Sequence, residues 1–310
     1  EKSWSTVAAL LRFLPFALFT CLALRKAAWW PLLVDAGAAI VVLWLLDAWV
    51  QILTGWSLGG AETADRLSGI FGAGNLKLGP VLAVLSTFVF VAARRRWGWR
   101  GLVVAFVFQL MPILFAGSRA AWITYALVAL AFVWMHTRAP LRFVAWSLAA
   151  ACAALLGIAV AWQHSGRFDL RFDRTLLALQ GSQQALDAAS AGRLRIWRTA
   201  LAMSAAHPVA GVGVRGFRYA YPQYAQAGDA FVDAQTDEGA FHAHQVVLEV
   251  LSETGGIGLL LWLIGATFAI RAWSRADAPA RERALAPALA LAAMTFPLKT
   301  HLAFYSAWWG

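Results

Sequence analysis

Charge is scarce in this sequence. Only 14% of its 310 residues are Asp, Glu, Lys or Arg, against about 25% in soluble globular domains. Hydrophobic residues make up 61% and the mean hydropathy is +0.63. That composition excludes a soluble enzyme, a disordered tail and a nucleic-acid module. Cysteine is equally rare: Cys21 and Cys152 both sit inside apolar runs, which argues against a disulfide framework or a Cys-based metal site. There is no Walker A loop, HExxH, GxSxG or clustered Asp/His set. ATP hydrolysis, a resident metal and other cofactors are therefore not expected. The acidic stretch 233–238 lacks the spacing of a specific metal signature. No solenoid repeat and no low-complexity linker is present. Position 1 is Glu1 and no basic-apolar-AxA signal precedes the first apolar run, so we expect the chain to lack its natural beginning.

What the sequence has in quantity is long apolar runs and aromatics. Seventeen Trp and nineteen Phe suit the belts that membrane proteins place at the bilayer surface. A membrane helix needs about 20 apolar residues. Such runs fall at Val7–Leu24, Trp30–Leu53, Leu78–Ala93, Gly101–Ala116, Ala120–Met135, Leu141–Trp162, Val246–Ile270 and Ala284–Phe296. The stretch from Lys299 and His301 to Trp309 reads as a dip to the surface before another helix. The expected fold is all-α: a polytopic transmembrane bundle over 1–162 and 246–310, with a long helical loop at 163–245. The net charge of +10 fits the excess of Lys and Arg in cytoplasmic loops. Arg25-Lys26, Arg94–Arg96 with Arg100, Arg138 with Arg142, and Arg271, Arg275, Arg281 and Arg283 supply twelve basic residues in four short loops. The opposite short loops hold only Arg66, Lys77 and Arg119. The 83-residue loop then falls outside, with eight Arg and seven acidic residues; loops of that length translocate largely regardless of charge. Within it 174–187 and 193–206 read as helices, the second with Leu194, Trp197, Leu201, Ser204 and Ala205 along one stripe. It is expected to lie on the membrane as an amphipathic lid.

Three outward stretches carry chemistry. His244 stands at the mouth of the helix after the loop, where an imidazole takes a proton near neutral pH, and His242 stands two residues before it. Glu249 and Glu253 follow one turn apart, within or beside the bilayer, where a carboxylate is costly unless it is functional, paired or caps structure. Gly117-Ser118-Arg119 is a tight turn between apolar helices. Its Arg is ordinarily a snorkelling anchor, but the positive-inside bias disfavours it on this side. Arg193, Arg195 and Arg198 open a helix, where the dipole disfavours cations unless an anion is bound. Arg is suited to bidentate phosphate recognition, so the three stretches point to an anionic, lipid-linked substrate.

These residues resemble the O-antigen ligase family and its wider polymerase-ligase superfamily. Gly117-Ser118-Arg119-Ala120-Ala121-Trp122 resembles that family's Gly-Ser/Thr-Arg turn. Gly192-Arg193-Leu194-Arg195-Ile196-Trp197, continuing to 207–213, resembles its long periplasmic loop. His244, Gln245, Gly255 and Gly258 match His-[Asn/Ser/Gln]-x9-Gly-x-x-Gly, the most specific piece. Phe71-Gly72-Ala73-Gly74-Asn75-Leu76 resembles a Gly-Asn segment more loosely. The likeness runs from about Leu67 to Trp309.

The resemblance implies a GT-C-like membrane glycosyltransferase of the bacterial inner membrane, acting at the periplasmic face. Its donor would be O-antigen on undecaprenyl pyrophosphate and its acceptor a sugar hydroxyl of lipid A–core oligosaccharide, with membrane lipids around it and no nucleic acid. Family members have about twelve membrane helices against the eight runs here, so further helices are expected at both ends. The residue roles that follow are His244 as base and Arg119 and Arg193 as pyrophosphate clamps. Lys77, Arg195, Arg215 and His242 are further substrate-binding candidates. A single displacement would invert the anomeric centre, since no carboxylate nucleophile is evident. An O-antigen polymerase and a protein O-oligosaccharyltransferase share much of this pattern. A non-enzymatic transporter would instead spread its charges through the bilayer midplane or show broken helices in paired halves.

Overall fold

The structure, a computed structural model, describes residues 2–26, 28–61, 67–137, 139–164, 187 and 190–296. The expected helix at 174–187, apart from Asp187, and the stretch from Lys299 to the end lie outside the described residues. Ten helices are described: α1 (Lys2–Leu11), α2 (Phe13–Ala23), α3 (Trp29–Thr54), α4 (Leu78–Phe115), α5 (Arg119–Thr137), α6 (Pro140–His164), α7 (Arg193–Ala206), α8 (Phe217–Tyr224), α9 (Val246–Arg275) and α10 (Ala278–Thr295). The fold is all-α; among the described residues a two-residue hairpin pairs Trp56–Ser57 with Gly60–Ala61, and Asp233 and Glu238 form an isolated bridge. Six helical stretches are long and apolar enough to cross a membrane. All eight apolar runs are helical, but α4 contains two of them. Those two are separated at Gly98 (φ 63°, ψ −146°), which is non-helical. Leu43, Leu46, Val104, Ile123 and Leu156 are exposed, as lipid-facing side chains are. This is a multi-pass membrane protein.

The chain divides into two compact units. The first holds residues 26–172 and 278–295. In it α4 packs against α3, α5, α6 and α10. Asp47 and Gln51, one turn apart on α3, are buried and tie down the connection to α4. Asp47 Oδ1 accepts from the Leu58 N–H at 2.7 Å, and Gln51 Oε1 accepts from the N–H groups of Ser68 (3.2 Å) and Gly69 (2.7 Å). Backbone groups buried among apolar helices need such partners.

The second unit holds residues 1–25, 173–277 and 296–310. Its core is Ile196, Ala200 and Met203 of α7, Phe217 and Tyr221 of α8, and Ala240 and Ala243. α7 thus buries the stripe of Ile196, Ala200 and Met203, while of the stripe read from the sequence Ser204 is buried and Leu201 is exposed. Both stripes have helical spacing; the partner surface of Phe217 and Tyr221 selects between them.

The helix after the loop is not continuous. Gly255 (φ 64°, ψ −163°) breaks α9, and the segment 208–213 docks on the break. Val212 N–H donates to Ser252 O (2.9 Å) and Gly213 N–H to Glu253 O (2.9 Å). Gly256 N–H donates to Pro208 O (2.8 Å) and Ile257 N–H to Val209 O (3.3 Å). The loop segment thus supplies the partners that the broken helix loses. The approach is close: a Cβ on Gly255 would lie 2.3 Å from Val209 O, and one on Gly211 2.4 Å from the Glu253 carbonyl carbon. Glycines three apart in a membrane helix, as Gly255 and Gly258 are, ordinarily let neighbouring helices pack closely. Instead Gly255 admits a loop backbone, and Gly258 leaves room for the Thr254 side chain, whose Oγ1 would lie 1.8 Å from an added Cβ.

Candidate active site

In the second unit, α7 and the segment before α9 bring three of the expected residues together. Gly192 (φ 77°) caps α7 and places Arg193 as its first residue. His242 and His244 have ring centroids 3.9 Å apart at 47°. Between them the Ala243 carbonyl accepts the Trp197 indole N–H at 3.0 Å, which pins the two-histidine segment to α7. His244 has φ 53°, a left-handed conformation uncommon outside Gly. Burial, and then the Arg193 positive charge, push the His242 imidazole down to about 4. His242 is thus neutral at neutral pH, and its buried Nε2 has no hydrogen-bond partner. Two imidazoles beside a guanidinium, one of them held neutral, put a proton-accepting group next to a place for a bound anion.

The surrounding groups are mostly structural. Gln245 is the N-cap of α9, its side chain accepting from the Leu248 N–H. Glu253 is buried and accepts from the N–H groups of Arg215 (2.7 Å) and Phe217 (3.2 Å). This carboxylate caps the start of α8, so of its possible roles it has the capping one. Arg215 is exposed and at φ 57°; its backbone is held by Glu253. Arg195 is ion-paired, Nε to Asp187 Oδ2 at 2.7 Å. It stands two positions, about 200° around the helix, from Arg193. The structure therefore groups Arg193, His242 and His244, and gives Arg195 a different partner. Arg218 bonds Glu238 and lies over the Phe241 ring at 4.8 Å, which secures the stretch leading into His242.

Arg119 and Lys77 belong to the first unit. Gly117 (φ 67°) turns the chain from α4 into α5, and the Ala121 N–H points to Ser118 Oγ at 3.4 Å. Arg119 opens α5 and is half-buried. The turn is packed tightly: a Cβ on Gly79 would sit 2.9 Å from Ala116 Cβ. Lys77 is exposed, its N–H donating to the Asn75 side chain at 3.0 Å. Among the described residues no group of three or more His, Cys, Asp or Glu is placed to hold a metal ion.

A protein-family model described as O-antigen ligase matches residues 104–263. The chain belongs to that family. No curated protein matches the chain. The O-antigen ligase match spans Arg119, Arg193, Arg195, Arg215, His242, His244, Gly255 and Gly258; Lys77 lies outside it. Membership carries with it lipid-linked polysaccharide substrates and glycosyltransferase activity of the ligase or polymerase type.

Sequence reasoning missed Asp187 as the partner of Arg195, and Asp47 and Gln51 as the ties of the α3–α4 connection. The second pair had a signal: two polar residues four apart inside the run Trp30–Leu53, where polar groups are costly. Asp187 had none, since eight positions separate it from Arg195 and no helical spacing pairs the two.

Proposed function

We propose that this protein ligates O-antigen from undecaprenyl pyrophosphate onto a sugar hydroxyl of lipid A–core oligosaccharide, at the periplasmic face of the inner membrane, without a metal and with inversion. The acceptor hydroxyl oxygen attacks the anomeric carbon while His244 takes its proton. The bond from that carbon to the pyrophosphate oxygen breaks, and undecaprenyl pyrophosphate leaves with the electron pair. Arg193 meets the growing phosphate charge, the kind of preorganised electrostatic stabilisation that is usually the largest catalytic contribution. Arg215 is a peripheral phosphate contact; Arg119, on the Gly-Ser-Arg turn, and Lys77 are further candidates that the family resemblance suggests. His242, held neutral, orients His244 by its ring contact.

The observation that carries this reading is the cluster of Arg193 with the His242–His244 pair, in a chain of the O-antigen ligase family. The test separates donor binding from turnover in a purified two-substrate reaction. His244→Ala is expected to bind lipid-linked donor as the parent does while turnover falls by roughly 10²–10⁴-fold, the worth of a positioned general base. A folded His244→Ala protein that keeps its turnover, or that loses donor binding instead, overturns the assignment. Offering lipid A–core, a second lipid-linked glycan and a protein acceptor in parallel separates ligase from polymerase and from protein O-oligosaccharyltransferase.

A further inference from the structure

The opposite side of α7 from Arg193 faces a groove of about 280 Å³. It is lined by Asp187, Leu194, Arg195, Arg198, Ala227 and Asp229 among others. Its charges differ in kind from those around the histidines. Two carboxylates and two guanidiniums balance, so the groove has no excess of positive charge to hold a phosphate. It is also set rather than loose. Asp229 is buried, its Oδ2 accepting from the Tyr221 hydroxyl at 3.0 Å and its Oδ1 from the Phe231 N–H at 2.9 Å. Burial lifts the Tyr221 phenol above its ordinary value, which keeps it the donor in that pair. Asp187 uses Oδ2 on Arg195, while its Oδ1 is buried and has no hydrogen-bond partner. An orphaned buried carboxylate oxygen costs free energy, and the residue that carries it stands in the wall of the groove. Arg198 is exposed and presents a planar fork of donors. Leu194 offers an apolar face among these polar groups. Paired planar acceptors and donors of zero net charge, beside one apolar contact, are the chemistry that recognises a polyhydroxylated, uncharged ring.

We infer that this groove is a saccharide subsite, which binds an uncharged sugar residue of one of the two glycans that the protein joins. The inference rests on the proposed function for its ligand class. It separates two sides of the start of α7: Arg193 and the histidines for phosphate and proton transfer, Arg195 and Arg198, with Asp187 beside them, for the sugar chain. The groove is filled by Ala227→Trp, which leaves every charge in place at an exposed position. Its donors and acceptor are changed by Arg198→Ala and Asp187→Asn.

The experiment uses the full chain in lipid nanodiscs and three probes: O-antigen oligosaccharide freed of lipid, core oligosaccharide freed of lipid and phosphate, and inorganic pyrophosphate. Binding of each is measured by titration calorimetry, with the melting temperature of every variant as the control for folding. One oligosaccharide is expected to bind 10–100-fold more weakly to Ala227→Trp and Arg198→Ala, roughly what one or two hydrogen bonds to charged groups are worth. Pyrophosphate binding should not change. The identity of the affected oligosaccharide then names the glycan. If neither oligosaccharide binds the parent protein, or neither weakens in the folded variants, or pyrophosphate displaces the sugar, the subsite is overturned. Transfer that proceeds with groove-independent sugar binding overturns the subsite alone. Groove-dependent sugar binding in a protein that transfers nothing overturns the proposed function alone.

Discussion

His242 shows how one residue is held ready for chemistry. A histidine in the open titrates near 6.5, and here burial and the Arg193 charge bring it to about 4. The unfolded chain therefore binds a proton between these values that the folded protein does not. The contribution to stability is present above about 6.5 and is lost as the pH falls toward about 4. The melting temperature is expected to drop across that window. His242→Gln, which cannot take up the proton, should flatten the drop, and Arg193→Ala should shrink it by letting His242 titrate nearer its ordinary value. A His242→Gln protein with the parent's pH profile of melting would show that His242 is not the group being titrated. The same residue scale explains the φ of 53° at His244. A strained backbone persists where its surroundings over-determine it. Here the Trp197 bond to Ala243 and the Gln245 cap fix the chain on both sides of His244.

At the scale of elements, the break in α9 organises the second unit. Two N–H groups and two carbonyls of the helix bond to 208–213, and the Glu253 side chain caps α8 from the same turn. One short stretch of α9 thus anchors the loop and the helix that follows it. Gly255→Ala is expected to cost at least ~1–2 kcal/mol for the left-handed backbone, before the clash with Val209 O is counted. Glu253→Ala should cost about 1–3 kcal/mol, since it strands the buried N–H of Phe217 and frees the part-buried N–H of Arg215. Both should lower the melting temperature and expose 208–213 to protease; a Gly255→Ala protein with parental melting and protease resistance would contradict this account. The glycines of the signature were legible in the sequence, but their use was not. A periodic apolar pattern continues across Gly255, and only the docking of a segment some 45 residues earlier in the chain shows that the helix is broken there. The same limit applies to α7. Its bounds at 193 and 206 were readable from the Gly before it and the His-Pro after it. Its buried face was not, because two stripes had equal periodicity and the choice lay with α8. Arg195 followed suit: as a cation at a helix start it looked like Arg193, and only Asp187 set it apart.

For the whole molecule, composition alone gave the class, because a membrane leaves few alternatives to helices with apolar exteriors. The three stretches that resembled the family were legible because each is short and local in sequence: a Gly-Ser-Arg turn, an Arg-led helix, a His-Gln cap followed by glycines. The same molecule-wide view bears on how pyrophosphate is released. A departing pyrophosphate needs positive charge, from a divalent ion or from side chains. A divalent ion needs carboxylates with free oxygens grouped together. Among the described residues no such group occurs, and Asp229 and Glu253 are committed. Asp229 is held by Tyr221 and Phe231, and Glu253 by two backbone N–H groups. Arginine is placed instead at the starts of α5 and α7, each on a family motif. If Arg193 carries the charge as proposed, transfer by the purified protein is expected to persist within a few-fold in excess chelator. Arg193→Ala should depress it in chelator and in Mg²⁺ alike, and Arg193→Lys should restore it only in part, because an ammonium lacks the bidentate fork. Loss of all transfer in chelator with recovery on adding Mg²⁺ or Mn²⁺ would show that a metal carries the charge that we assign to arginine.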